Sequence, residues 1–365
     1  MIQDLKGIER KTPTNEICVS EFEKIRTDCL VFDVRSPLEF DEFHIVGSIN
    51  LPLLKDEARK IVGTIYRQAG QEEAVNQGWI EFEKNFKELI SKAKMEISKN
   101  KNAQKPQFLA PTKVGKKIVV YCARGGMRSG IVTNLLEHLG YEVYRLIGGI
   151  KEYRNSLYGW LDEILDTWKP KFVVLEGMTG TRKTELIQNL NVAKLDLEDL
   201  ANHRASTYGG VGLKERSQKM FLFLLYEELL KLKDCDKVVV EGESKKIGKI
   251  FLPTRLFDLM LSGDFIHVVA SDDVRINHII KEYCSSKEKV EELMALTPRL
   301  VKFIGKKKVD EVVSWFQKGE YYLAVEFLLL KYYDNVYKNF AKEYVFEIST
   351  DDLKIAKKEL EEFLS

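Results

Sequence analysis

A chain of 365 residues, 44% hydrophobic and 31% charged, is too long for one ordinary hydrophobic core and too apolar for disorder, so two folded domains are expected. Its formal net charge of +1 excludes a globally basic nucleic-acid binder, so any RNA contact needs a local basic surface. No run approaches the roughly eighteen apolar residues of a bilayer span and residues 1–10 are too charged for a signal-peptide core, which points to the cytoplasm and away from a membrane.

In chain order, residues 29–34 form an apolar run fit for a buried parallel strand, and 116–122 form a second. Between them, residues 56–98 are polar and helix-prone, with Trp79, Phe82 and Phe86 spaced to share one face; the Lys/Asn/Gln-rich tail 98–105 reads as an exposed loop. This stretch is an insertion, either a structural helical hairpin or a part of substrate capture. After Cys122 the chain turns glycine-rich and then takes helical spacing at Ile131, Leu135, Leu136 and Leu139, and 141–147 supply another strand ended by Gly148 and Gly149.

An amphipathic segment from Trp160 to Trp168 leads to Pro170, where a helix would end. The expected division is a first domain over 1–158 with its insertion around 56–105, a connecting segment over 159–170, and a second domain over 171–365. In the latter, 171–177, 237–241 and 265–270 are strands separated by helical segments, the alternation of a parallel-sheet α/β domain. Beyond Ser271 the chain is mostly helical, with 344–348 as a late strand.

Five cysteines without a C-x-x-C pair argue against disulfides or structural zinc. Cys122 alone has a chemical setting: it ends a strand, small residues follow, and a helix begins. Backbone N–H groups of such a turn converge on one point and the helix adds its positive end. Arg124 and Arg128 add positive charge, so Cys122 is expected to be a reactive thiolate nucleophile. Cys18, Cys29, Cys235 and Cys284 read as packing residues, and His44, His138 and His267 as structural; His278, near Arg275, stays open.

The stretch from Glu176 to Leu186 follows a strand and opens a helix, as a phosphate-binding Walker A loop must. Gly177, Thr179, Gly180, Thr181 and Arg182 form the loop, Lys183 reaches phosphate oxygens, and Thr184 is placed to ligate Mg2+. Arg182 stands where the motif has its last glycine. Glu241 and Glu243 near a strand end, and Asp196 after a shorter strand, are candidates for supporting a metal or substrate. Residues 202–210 lack periodicity and carry His203 and Arg204, in either a surface loop or a substrate loop.

Asp33, Arg35, Glu39, Phe40, the run 44–52, the loop 122–129 and the Gly148–Gly149 pair are together similar to the successive signatures of a rhodanese domain. The spacing Cys122 to Arg128 is C-x5-R, one residue longer than the usual sulfur-transferase loop and able to take a larger tetrahedral anion. Joined to the segments 196–209, 240–248 and 330–337, the chain resembles the tRNA 2-selenouridine synthase family, a rhodanese-like domain fused to a P-loop domain.

That resemblance implies replacement of sulfur by selenium in 2-thiouridine at the wobble position of tRNAs for lysine, glutamate and glutamine. It also implies an S-geranyl-2-thiouridine intermediate, with geranyl diphosphate and selenophosphate as substrates and an enzyme that makes selenophosphate as a transient partner. Cys122, Arg124 and Arg128 would then serve selenium delivery. The loop from Gly177 to Thr184 would cradle the diphosphate, with Arg182 adding a contact, while His203 and Arg204 would support diphosphate departure or RNA placement. Lys245, Lys246, Lys249 and Arg255 are candidate RNA contacts, with residues 306–308 a weaker one. Competing readings are a cysteine-dependent phosphatase using Cys122 and Arg128, a nucleotide-driven kinase or switch using Lys183, and a non-catalytic RNA-binding scaffold.

Overall fold

The computed structural model describes residues 15–102, 117–336 and 343–364. The chain divides into two compact units, 1–159 and 160–365, and the helix Gly149–Asp166 runs through the division. No helix among the described residues is long and apolar enough to cross a membrane.

In the first unit β1 (Glu16–Ile17), β2 (Leu30–Asp33), β3 (Ile49–Asn50), β4 (Ile118–Tyr121) and β5 (Val143–Leu146) form a parallel sheet in the order β1-β5-β4-β2-β3. All residues of β2 and β4 are buried, as expected of strands covered on both faces. The short strands β1 and β3 escaped sequence reading because two residues carry no period. Lys116, expected to open the second strand, lies outside the described residues.

The insertion is two helices, Asp56–Gln68 and Gln71–Asn102. Phe82, Phe86, Leu89, Ala93 and Ile97 join the core of β2 and β4, with Trp79, Phe82 and Phe86 meeting edge to face. One face of the second helix is therefore part of the domain core. The tail does not leave the helix at residue 98: the helix runs on to Asn102, and 103–105 lie outside the described residues.

In the second unit β6 (Lys171–Glu176), β7 (Lys194–Leu195), β8 (Lys237–Glu241), β11 (Asp264–Val269) and β12 (Phe346–Ser349) form a parallel sheet ordered β12-β11-β6-β8-β7. The chain builds one side of β6 first and then the other. The end of β6 is thus the point where strand order reverses, which in open α/β sheets is where ligands bind. A separate antiparallel hairpin, β9 (Lys246–Ile247) and β10 (Ile250–Phe251), was not anticipated.

The helices beyond residue 271 close a core of their own around Tyr208, Ile276, Leu293, Val312, Phe316 and Leu329. A turn of π-helix at Leu328–Tyr333 delivers Asp334 to Arg275, and π-turns of this kind are enriched at functional positions. Arg275, 3% exposed, also donates to the Thr179 carbonyl at 3.0 Å. The helical region is thereby tied to the phosphate loop. Tyr337 of the segment 330–337 lies outside the described residues.

Candidate functional site

Cys122 follows β4 at its C-terminal end, and the helix Met127–His138 begins five residues later with Gly126 as its N-cap and no side-chain cap. Its first-turn N–H groups are therefore available to an anion at the turn. The Gly148–Gly149 turn closes over the loop: Ile150 N donates to the Cys122 carbonyl at 2.9 Å and Lys151 N to that of Ala123 at 3.1 Å. At Gly149, with φ of +58°, a Cβ would lie 2.3 Å from the Cys122 carbonyl oxygen, so only glycine fits.

The sulfur itself is recessed, Cys122 being 4% exposed. Ser129 Oγ donates to it at 3.2 Å and lies 3.0 Å from the Gly126 carbonyl. Sequence reasoning missed Ser129, whose only signal was its place directly after the C-x5-R arginine. Arg128 is not a free cation over the sulfur. It forms a two-pronged ion pair with Glu39 at 2.6 and 3.2 Å, and burial, which alone would raise the Glu39 carboxyl, is outweighed by Arg128, which holds it below its ordinary range. Arg124 is exposed on the loop.

Beneath the loop, Asp33 and Arg35 form a buried bidentate pair, and Arg35 Nη2 also reaches the Phe43 carbonyl at 2.5 Å. Removing one partner of such a pair costs about 3–5 kcal/mol. His44 stacks on Phe40 and bonds its carbonyl at 2.9 Å, a structural role. The four remaining cysteines are free thiols.

In the second unit the turn after β6 opens the helix Lys183–Asn189. A Cβ at Gly177 would lie 2.2 Å from the Val268 carbonyl oxygen, so the loop passes flat against β11. Lys183 Nζ donates to the carbonyls of Gly177 at 2.8 Å and Met178 at 3.2 Å, which holds the ammonium at the mouth of the loop. Thr181 is buried, with its hydroxyl on Met178 and its carbonyl taken by Thr350.

Arg182 adopts φ of +59°, the left-handed region, which explains why glycine is the usual choice there. Its guanidinium turns away from the loop mouth, to Glu185 at 2.9 Å and the Thr350 carbonyl at 3.2 Å. The expected direct contact with a diphosphate is corrected accordingly. Arg182→Gly relieves about 1 kcal/mol of backbone strain and removes a partly exposed ion pair of similar worth. The expected result is a pyrophosphate affinity within about threefold of the parent by calorimetry; a loss beyond tenfold in a folded variant would restore the direct contact.

Glu241 ends β8 beside β6, and Glu243 follows it. They meet Glu198, on the helix Leu197–Ala201, which no neighbour along the chain singles out; carboxylate oxygens of the three lie within 4.8 Å of one another. Thr184 Oγ1 donates to Glu198 at 3.2 Å. Burial first, then the Glu243 charge, pushes the Glu198 carboxyl up to about 8. Burial and then Glu241 push Glu243 up to about 8, and burial with Glu198 pushes Glu241 well above its ordinary range, in each case against the pull of Lys183.

A raised folded pKa makes a carboxyl cost stability as pH rises. Each group is neutral in both states below the unfolded value near 4.3, while between there and about 8 only the unfolded chain ionises. Glu198→Gln is therefore expected to stabilise the protein by about 1–2 kcal/mol at pH 8, a midpoint increase of about 2–8 °C, and by much less at pH 5. Thermal unfolding at both pH values checks this. An unchanged or lower midpoint at pH 8 would show that the cluster is not strained.

Asp196 is a helix N-cap, accepting from Asp199 N at 2.8 Å and Gln188 at 3.1 Å. Arg204 is held by Glu282 at 2.6 Å and lies over the Tyr283 ring, which makes it a structural tie rather than a free anion contact. His203 is packed among glycines, a Cβ at Gly209 or Gly248 coming within 2.7 or 2.9 Å of its ring; its buried Nδ1 has no partner, and burial lowers its pKa. A cavity of about 400 Å³ lies along Thr184, Glu198, His203, Arg204, His278 and Glu282, with Leu213 the one aliphatic side chain lining it.

Lys245, Lys246 and Lys249 are exposed on and around the β9–β10 hairpin, with Phe251 59% exposed among them. Lys246 sits over that ring and Lys249 pairs with Glu215 at 3.3 Å. Arg255, in the next helix, pairs with Asp166 at 3.5 Å. His267, paired with Glu347 at 2.8 Å and stacked on Tyr344, is structural.

Residues 19–156 match the model of the rhodanese-like domain family, and 170–298 match that described as the tRNA 2-selenouridine synthase AAA domain. The tRNA 2-selenouridine synthase of Nitrosomonas eutropha is 37% identical over 261 residues, which cover 70% of this chain and 63% of that protein. The protein of the same name from Pseudomonas fluorescens is 33% identical, covering 73% and 69%. The one from Sulfurovum sp. is 29% identical, covering 84% and 87%. The chain thus spans less than two thirds of the Nitrosomonas eutropha relative, at 63%.

Proposed function

We propose, since this chain belongs to the tRNA 2-selenouridine synthase family, that it replaces sulfur by selenium in the wobble 2-thiouridine of tRNAs for lysine, glutamate and glutamine. The observation that carries the reading is a pair of strand-loop-helix turns, one on β4 and one on β6, each at the C-terminal end of a parallel strand and each opening a helix without a side-chain cap. One carries a thiol and the other an ammonium. They are the means to hold two different anions.

The phosphate loop takes geranyl diphosphate. The thiocarbonyl sulfur of the uridine attacks its C1, the C–O bond breaks, and diphosphate leaves under the charge of Lys183 and the loop N–H groups. The alkylated sulfur is then a thiol leaving group in place of a poor one. The cysteine loop takes selenophosphate; its selenium attacks C2 of the alkylated base, geranyl thiol leaves, and hydrolysis of the P–Se bond yields phosphate and the selenouridine. Cys122 and the helix 127–138 position the donor, with Ser129 orienting the sulfur.

The cavity lined by Thr184 adjoins the phosphate loop, and we place the alkyl donor there. The β9–β10 hairpin is the surface we assign to tRNA: its lysines meet phosphates and the exposed Phe251 offers a stacking face. The ion pair of Arg128 with Glu39 weighs against the phosphatase reading, in which that arginine must grip the substrate. A cytoplasmic site and a transient encounter with the enzyme supplying selenophosphate complete the proposal.

Incubation with 2-thiouridine-containing tRNA, geranyl diphosphate and selenophosphate, omitting each in turn, tests it by nucleoside mass analysis. The S-geranyl nucleoside is expected when selenophosphate is omitted, and no change when geranyl diphosphate is. Selenouridine formed without geranyl diphosphate would overturn the two-step route, and an unmodified nucleoside in the full mixture would overturn the function.

A further inference from the structure

The β9–β10 hairpin turns at Gly248 directly against the ring of His203, where an added Cβ would lie 2.9 Å from Cγ and Cδ2. His203 in turn lines the cavity together with Thr184. The ring therefore stands where the surface assigned to tRNA meets the pocket assigned to the alkyl donor. Gly209 and Gly210 enclose it from its own loop, an added Cβ lying 2.7 Å from Cε1 at the first and 3.5 Å from Cδ2 at the second. Three glycines leave one imidazole the room that side chains would take.

Its two nitrogens are placed unequally. Nδ1 is buried and has no hydrogen-bond partner, so a ligand in the cavity meets the ring at Nε2. Burial lowers the His203 pKa against the pull of Glu215, and Arg204 and Lys249 lower it further. The imidazole is thus uncharged at neutral pH and keeps a lone pair. Glu215, bonded by the backbone N–H of Lys249 and paired with its Nζ at 3.3 Å, stabilises the imidazolium once a proton arrives. The other imidazole on the cavity wall, His278, is taken up between Glu185 at 3.5 Å and Glu282 at 3.8 Å.

Alkylation of a thiocarbonyl sulfur demands a base. 2-Thiouracil carries a proton on N3, and once sulfur bonds to carbon the ring is cationic unless that proton departs. We propose that His203 is the catalytic base of this step, its Nε2 taking the N3 proton of the 2-thiouridine as the sulfur is alkylated. The inference rests on the geranylation reading above. A sulfur lone pair forms the bond to C1 of the alkyl donor, and the C1–O pair leaves with diphosphate. The N3–H pair becomes the second bond between N3 and C2, and the former C2–S π pair stays on sulfur. The product is a neutral S-alkyl base, and the proton passes from His203 to solvent.

The full chain is assayed for the S-geranyl nucleoside in single turnovers on 2-thiouridine tRNA with saturating geranyl diphosphate, circular dichroism recording the fold. His203→Ala and His203→Gln are expected to lose at least about a hundredfold in rate at pH 7, the lower end of general-base contributions. Glutamine keeps the space of the ring filled should alanine unfold the loop. The loss should shrink by about tenfold or more at a pH that ionises N3 of the nucleoside itself, because no base is then needed. Added imidazole should restore part of the rate to the alanine variant, whose gap it fills, and none to the glutamine variant. Rates within about threefold of the parent in the folded variants, or the same loss at every pH, overturn the proposal. So does a comparable loss on tRNA already geranylated, which has no N3 proton to give and would mark a role in RNA placement. If the parent geranylates and the variants match it, the base assignment fails and the alkylation reading stands. If the parent forms no S-geranyl nucleoside, the alkylation reading fails and takes the base with it.

Discussion

Folded Cys122→Ala is expected to carry 2-thiouridine tRNA to its S-geranyl form in the presence of geranyl diphosphate and to stop there. The cysteine loop and the phosphate loop lie on different sheets in different units, so the loss of one thiol leaves the alkylating machinery whole. Without the thiol the donor loses a positioning contact, and selenation should fall by about a hundredfold. Folding should survive. The cavity is one sulfur in size, costing about 1 kcal/mol, and the Ser129 hydroxyl keeps the Gly126 carbonyl as acceptor at 3.0 Å. Nucleoside mass spectrometry on the stalled product is the measurement, and normal selenation by the folded variant would eliminate the cysteine role.

Lys183→Ala should give the reverse pattern. On the proposed route the ammonium at the loop mouth stabilises the charge that develops on departing diphosphate, and removing one such donor typically costs about a hundredfold to a thousandfold. Geranylation of 2-thiouridine tRNA should fall by that factor, while tRNA already geranylated should still be converted to the selenouridine form. A stability control is needed, because Lys183 also offsets Glu198, Glu241 and Glu243. The double variant Lys183→Ala, Glu198→Gln lowers that burden and should fold more stably at pH 8 with the same geranylation defect. Equal failure on both substrates by a folded variant would mean that the two loops act as one site.

The residues that could be read in advance are those whose role follows from their neighbours in the chain. A strand ending in Cys122 with glycines after it, and a strand ending in Gly177 with Lys183 and Thr184 opening a helix, state their geometry locally, because N–H groups converge only in such turns. Long apolar runs named β2, β4, β6, β8 and β11 for the same reason. The Gly148–Gly149 pair was legible as a turn, although what it touches was not.

Tertiary structure decided whatever depends on partners far off in sequence. Arg128 looked like a free cation until Glu39, brought 89 positions across the chain, paired with it. Arg182 looked like an anion contact until Thr350 and Glu185 took its guanidinium. Asp196 and Glu198 differ by two positions, yet the helix turns the first into its own cap and the second toward Thr184. Periodicity and motif spacing report on backbone conformation over a few residues, and they determined the two strand-loop-helix turns. Which charges are offset and which are left facing one another is set by packing between elements, and that only the folded chain could decide.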